Sequence, residues 1–90
     1  MSKPSGNDSP GLAQFFAEEV REPYYADLLL ERAEAAGQGK PAPNASGDAY
    51  NVTFGPQEIV IEHHYLEGWR PVRVSHKDFV AAVRKRRREL

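Results

Sequence analysis

Apolar and polar residues alternate with a period of two along Tyr50-Asn51-Val52-Thr53-Phe54, the pattern of a strand with one buried face. Gly55-Pro56-Gln57 interrupts the run, and Glu58-Ile59-Val60-Ile61-Glu62 resumes it as a second, richer strand. Val72-Arg73-Val74 supplies a third short extended piece. The period then changes. Ser75-His76-Lys77-Asp78 is an S-x-x-D helix start with Ser75 as N-cap, and Phe79, Val83 and Leu90 fall on one helical stripe behind it. Arg86 sits in the gap of that stripe. Its stem is expected along the core edge and its head at a polar partner or water.

Upstream, Ser9 is placed as an N-cap with Pro10 at the first helical position. Leu12, Phe15, Phe16, Glu19 and Val20 follow at helical spacing, leaving Gln14, Glu18 and Arg21 outside. Glu22-Pro23 ends or kinks this helix, because proline disfavours the α conformation in the residue before it. A second helix is predicted from Tyr24 to Ala36, with Tyr25, Leu28, Leu29 and Leu30 inward and Gly37 as its C′ residue. Residues 37–47 are Gly, Pro, Ala, Asn and Ser-rich and read as a connecting loop. The expected architecture is α+β. A small antiparallel three-stranded sheet packs against N-terminal helices and a C-terminal helix, in one domain over residues 10–90 behind a flexible tail over residues 1–9.

Composition narrows what such a domain does. Ninety residues suffice for a single small core. The chain has no cysteine, which excludes disulfides, thiolate metal sites and a cysteine nucleophile. It has no apolar run of about eighteen residues, so no membrane partner is expected. Met1-Ser2-Lys3-Pro4-Ser5-Gly6 lacks the apolar stretch of a signal peptide, and a cytoplasmic location is the default.

A net charge of −1 conceals two poles. Residues 1–69 hold eleven acids against four bases, a net −7, while residues 70–90 hold eight bases against two acids, a net +6. So acidic a body suits an inhibitor of a basic enzyme better than a nucleic-acid binder. The poles also have the means to attract each other within the fold.

Candidate chemistry is sparse. His63 and His64 adjoin Glu62, with His76 further on, but successive strand residues point to opposite faces and cannot readily share one ion. His63, in phase with Ile59 and Ile61, reads as a half-buried histidine. Ser75, His76 and Asp78 explain themselves as a helix cap, and their order fits no nucleophile elbow. We therefore expect no enzyme, no cofactor and no metal. Arg84 to Arg88 read as a solvated helix end whose cations offset the macrodipole. Nucleic-acid contact by this run is the alternative, although no aromatic residue interleaves with the bases between Val80 and Leu90.

Tyr65-Leu66-Glu67-Gly68-Trp69-Arg70 is a turn between strands that brings Tyr, Leu and Trp together with Glu62 and Glu67. Aromatics flanked by charge on a rigid scaffold are what protein-binding surfaces use, so Glu62, Tyr65, Glu67 and Trp69 are the candidate contacts. The competing reading of Trp69 is that it folds back over the core beside Pro71. A second acidic surface, Asp27, Glu31 and Glu34, lies on the second helix. A further reading is self-association through the exposed hairpin edge.

Several pieces of the chain carry a resemblance. Phe15-Phe16-Ala17-Glu18-Glu19-Val20, a leucine-rich helix, and Gly47-Asp48-Ala49-Tyr50-Asn51-Val52 are similar to a family of small bacterial proteins. Glu58-Ile59-Val60-Ile61-Glu62, Val74-Ser75-His76-Lys77-Asp78-Phe79 and a terminal helix extend the likeness over about residues 12–90. That family includes an uncharacterised enterobacterial protein and immunity proteins of contact-dependent growth inhibition systems. The resemblance implies a protein that binds and neutralises a cognate toxin domain, commonly a nuclease. Carboxylates would then stand in for phosphates at the toxin's basic cleft.

Overall fold

A computed structural model describes residues 10–90. The N-cap expected at Ser9 and the tail over residues 1–9 lie outside the described residues. The elements run α1 (Pro10–Glu19), α2 (Pro23–Gly37), β1 (Ala45–Ser46), β2 (Tyr50–Phe54), β3 (Ile59–His63), β4 (Val72–Val74) and α3 (His76–Glu89). The fold is α+β, with four strands rather than three. The additional strand, β1, lies within the stretch expected to be only a loop.

The sheet is an antiparallel meander in the order β1-β2-β3-β4. Its register makes the core. Ala45, Val52, Ile61 and Val72 form one cross-strand row, and Phe54, Ile59 and Val74 form the next. All seven side chains are buried, because residues in phase along each strand share one face. Asn51, Thr53, Val60, Glu62 and Arg73 hold the alternate positions. They are exposed or partly exposed, with Arg73 paired to Glu58 at 2.6 Å.

Helical periodicity covers the apolar face. Leu12 and Phe15 of α1, Leu29 of α2, and Phe79 and Val83 of α3 are each fully buried. Phe79 meets Phe54 edge-on at 6.1 Å and Phe16 at 6.5 Å, while Phe15 meets Tyr50 edge-on at 5.3 Å. Such pairs contribute about 0.5–1.5 kcal/mol each beyond area burial, and here they join both helices to the sheet. Ala26, Ala33 and Ala36 are also buried, which lets α2 approach α3 closely.

The ends of the helices follow local chemistry. Pro23 begins α2 with its fixed φ, after Glu22 in extended geometry. Its C-terminal glycine is Gly39, not the expected Gly37, which is the last helical residue. Gly39 takes φ +79°, its N–H donates to Ala36 and that of Lys40 donates to Ala35, as in a Schellman motif. Ser75 caps α3 as expected, accepting from the Asp78 N–H at 3.1 Å. Arg86 also behaves as expected, since its Nε donates to the Val20 carbonyl at 2.9 Å. Leu90 does not complete the buried stripe and is 38% exposed at the helix end.

Candidate protein-binding surface

Three connections meet at one end of the domain: the α1–α2 junction, the β1–β2 turn and the β3–β4 loop. Hydrogen bonds fasten them together. Glu19 Oε2 accepts from the Ala49 and Tyr50 N–H groups at 3.3 and 3.2 Å. Gly47 lies against this carboxylate, where a side chain at residue 47 would collide with it. The His64 N–H donates to the Ala49 carbonyl at 2.8 Å, and His64 Nε2 lies 3.2 Å from Ser46 Oγ. The Tyr50 hydroxyl, from a fully buried ring, donates to Glu18 Oε1 at 2.7 Å. Burial first, then this bond to Glu18, pushes the Tyr50 hydroxyl far above the usual phenol range.

An open cleft of about 520 Å³ lies at this end, lined by Glu18, Glu19, Glu22 and Asp48, with Arg21 among them and Tyr24 and Tyr25 in its wall. Tyr25 is half-buried, but its hydroxyl oxygen is buried and has no hydrogen-bond partner among the described residues. Burial, and secondarily the charge of Glu19, pushes its pKa up to about 12. Tyr24, by contrast, is 70% exposed.

Across the Asp48–Ala49 turn stands the β3–β4 loop. Tyr65 is 74% and Leu66 53% exposed, and Glu62 and Glu67 are exposed beside them. This brings together three of the residues expected to bind a partner: Glu62, Tyr65 and Glu67. Of the two readings of Trp69, the structure takes the one in which it folds back over the core. Its indole is half-buried, packs on Tyr50 at 5.5 Å and donates from Nε1 to Gln14 Oε1 at 3.2 Å. It supports the loop from beneath, and Gln14, expected outside, is half-buried as its partner.

The acids of α2 have a different setting. Asp27 pairs with Arg87 at 3.2 Å and Glu34 with Arg84 at 3.3 Å, so their charge is met by α3, while Glu31 stays exposed. The attraction between acidic and basic poles is therefore realised along the α2–α3 seam. Sequence reasoning missed Tyr24, Glu18, Glu22 and Asp48 as members of the surface. A signal for Tyr24 was present, because placing Tyr25 inward on a helix turns its neighbour about 100° away.

The three histidines each take part in a structural hydrogen bond. His63 Nδ1 accepts from the Tyr65 and Leu66 N–H groups, both at 3.1 Å, and His76 Nε2 donates to the Gly55 carbonyl at 2.7 Å. Among the described residues, no three His, Cys, Asp or Glu side chains are grouped to hold a metal ion. No described helix is long and apolar enough to cross a membrane. Comparison with protein-family models, with curated proteins and with solved structures returned no match to this chain.

Proposed function

We propose that the domain is an immunity protein that binds a cognate toxin domain, a nuclease, and occludes its active site or substrate groove. The observation that carries this reading is the composition of one end of the fold. Tyr24, Tyr65 and Leu66 stand out from the surface among Glu18, Glu22, Asp48, Glu62 and Glu67. Large side chains this exposed gain from being covered, and tyrosines anchor interfaces well because they bring area at low entropic cost. The surrounding carboxylates suit a positively charged partner. A groove that binds nucleic acid is such a partner, and opposite fields speed encounter before contact.

The basic run supports a nucleic-acid role less well. Arg84 and Arg87 are paired to α2, and Arg86 is bonded to Val20 and lies 3.8 Å from Glu89. The test is co-expression with the product of the adjacent upstream gene, followed by affinity capture and size-exclusion chromatography. A stoichiometric complex that relieves toxicity is expected. Absence of any complex, together with steeply salt-dependent binding to random RNA, would replace this reading by the nucleic-acid one.

A further inference from the structure

Of the three histidines, one is held in a role that only its neutral ring can fill. His63 Nδ1 accepts two backbone N–H groups, those of Tyr65 and Leu66. An imidazole nitrogen accepts only when it carries no proton, so the ring proton resides on Nε2. His76 is a donor to the Gly55 carbonyl, a bond that its cation keeps. His64 faces the Ser46 hydroxyl, which can donate to a neutral ring or accept from a charged one. Acid therefore abolishes hydrogen bonds at His63 alone.

What those two bonds hold is the loop that presents Tyr65 and Leu66. Within the loop, the Trp69 N–H also donates to the Leu66 carbonyl at 3.2 Å. The His63 ring is seated edge-on to Tyr50 at 4.7 Å and near Trp69 at 5.9 Å and Tyr65 at 6.2 Å. The titratable and charged groups around it are Tyr50 of β2 and, through Tyr50, Glu18 and Glu19 of α1. Glu62 and His64 flank it in sequence, and Tyr65, Glu67 and Arg70 belong to the loop itself.

We infer that His63 is a pH-operated latch on the β3–β4 loop. Neutral, it fastens the Tyr65 and Leu66 backbone. Protonated at Nδ1, it sets an N–H against two N–H groups, and the loop is released or the ring rotates away. That this loop contacts a partner rests on the function proposed above, whereas the latch belongs to the free domain and is measured there.

The experiment is an NMR titration of the isolated protein from about pH 8 to about pH 5, the interval in which histidine changes charge. Ring signals of the three histidines and backbone amides are followed together, with hydrogen exchange corrected for its intrinsic pH dependence. The Tyr65 and Leu66 amides should lose about tenfold in protection at the midpoint of the His63 ring. His63→Asn should abolish this step and keep the loop fastened, because an asparagine carbonyl accepts from N–H groups two and three residues on. His63→Phe, which keeps a ring but no acceptor, should leave both amides unprotected throughout. If His63→Phe fails to fold, the wild-type and His63→Asn titrations still decide. Amides that stay fixed while His63 titrates, or that follow His64 instead, overturn the latch. A latch that behaves as described in a domain that captures no toxin overturns the proposed function alone.

Discussion

Removing one oxygen atom from the centre of the domain, as Tyr50→Phe, isolates the bond between β2 and α1. The ring is fully buried between Phe15 at 5.3 Å and Trp69 at 5.5 Å, and the substitution keeps those contacts. What it removes is the 2.7 Å hydrogen bond to Glu18. A bond to a charged acceptor contributes roughly 1.5–3 kcal/mol net. Glu18 is exposed, however, so its released oxygen returns to water rather than staying buried and unpaired. The loss should therefore fall near the low end, about 1–2 kcal/mol. In a domain of this size that corresponds to a fall in Tm of about 4–16 °C. Urea unfolding followed by the fluorescence of Trp69, the single tryptophan of the chain, measures the difference directly. Glu18→Ala and the double variant complete a cycle, in which the two losses should be less than additive by about 1 kcal/mol. A Tyr50→Phe variant as stable as the wild type, at unchanged m, would refute the bond and leave Glu19 as the tie between α1 and the β1–β2 turn.

Changing Arg87 and Arg88 to Gln together should cost at most about 1 kcal/mol, since the Arg87 and Asp27 side chains are 43% and 60% exposed and such pairs contribute little. Under the proposed function, protection from the toxin should survive, and its loss in a folded variant would move the docking surface to α3. At high pH, Tyr25 and Tyr50 should make the fold alkali-sensitive, because burial first of all raises both phenols above their ordinary value. The folded state holds these protons more tightly than the unfolded one, so the stability is complete below about pH 10. The Tyr25 part is lost as pH rises through about 12, and the Tyr50 part, raised further, at still higher pH. Tyrosinate absorbance and circular dichroism, recorded together, should show these two phenols ionising with unfolding, and Tyr25→Phe should reduce the alkaline loss.

The strands were legible because Tyr50, Val52 and Phe54, then Ile59 and Ile61, carry an unbroken period of two on a sheet covered on one face only. Ser75 and Arg86 were legible for the same local reason: a cap and a gap in a stripe are decided within one helix. β1 was not, since Ala45–Ser46 is too short to show a period and exists through pairing with β2. Leu90 obeys the helical spacing but lies at the last turn, where no core remains to cover it. The fate of Trp69 was open because it depends on Gln14, a partner 55 residues away. Of the expected binding surface, Glu62, Tyr65 and Glu67 came from one contiguous stretch of chain. Tyr24 and the cleft acids join them only through tertiary contacts, and Asp27 and Glu34 are drawn to α3 by the same means.

The most direct measurement is the binding kinetics of a Glu62→Lys and Glu67→Lys double variant against the product of the adjacent upstream gene, the partner that the proposed function requires. Both side chains are exposed and take part in no salt bridge among the described residues, so circular dichroism should show the fold intact. If the acidic and aromatic end docks on a basic groove, each reversal turns attraction into repulsion, at a combined cost of several kcal/mol. Part of that loss should appear as slower association at low salt, shrinking as salt screens the steering field. An unchanged Kd and association rate in the folded double variant would contradict the account.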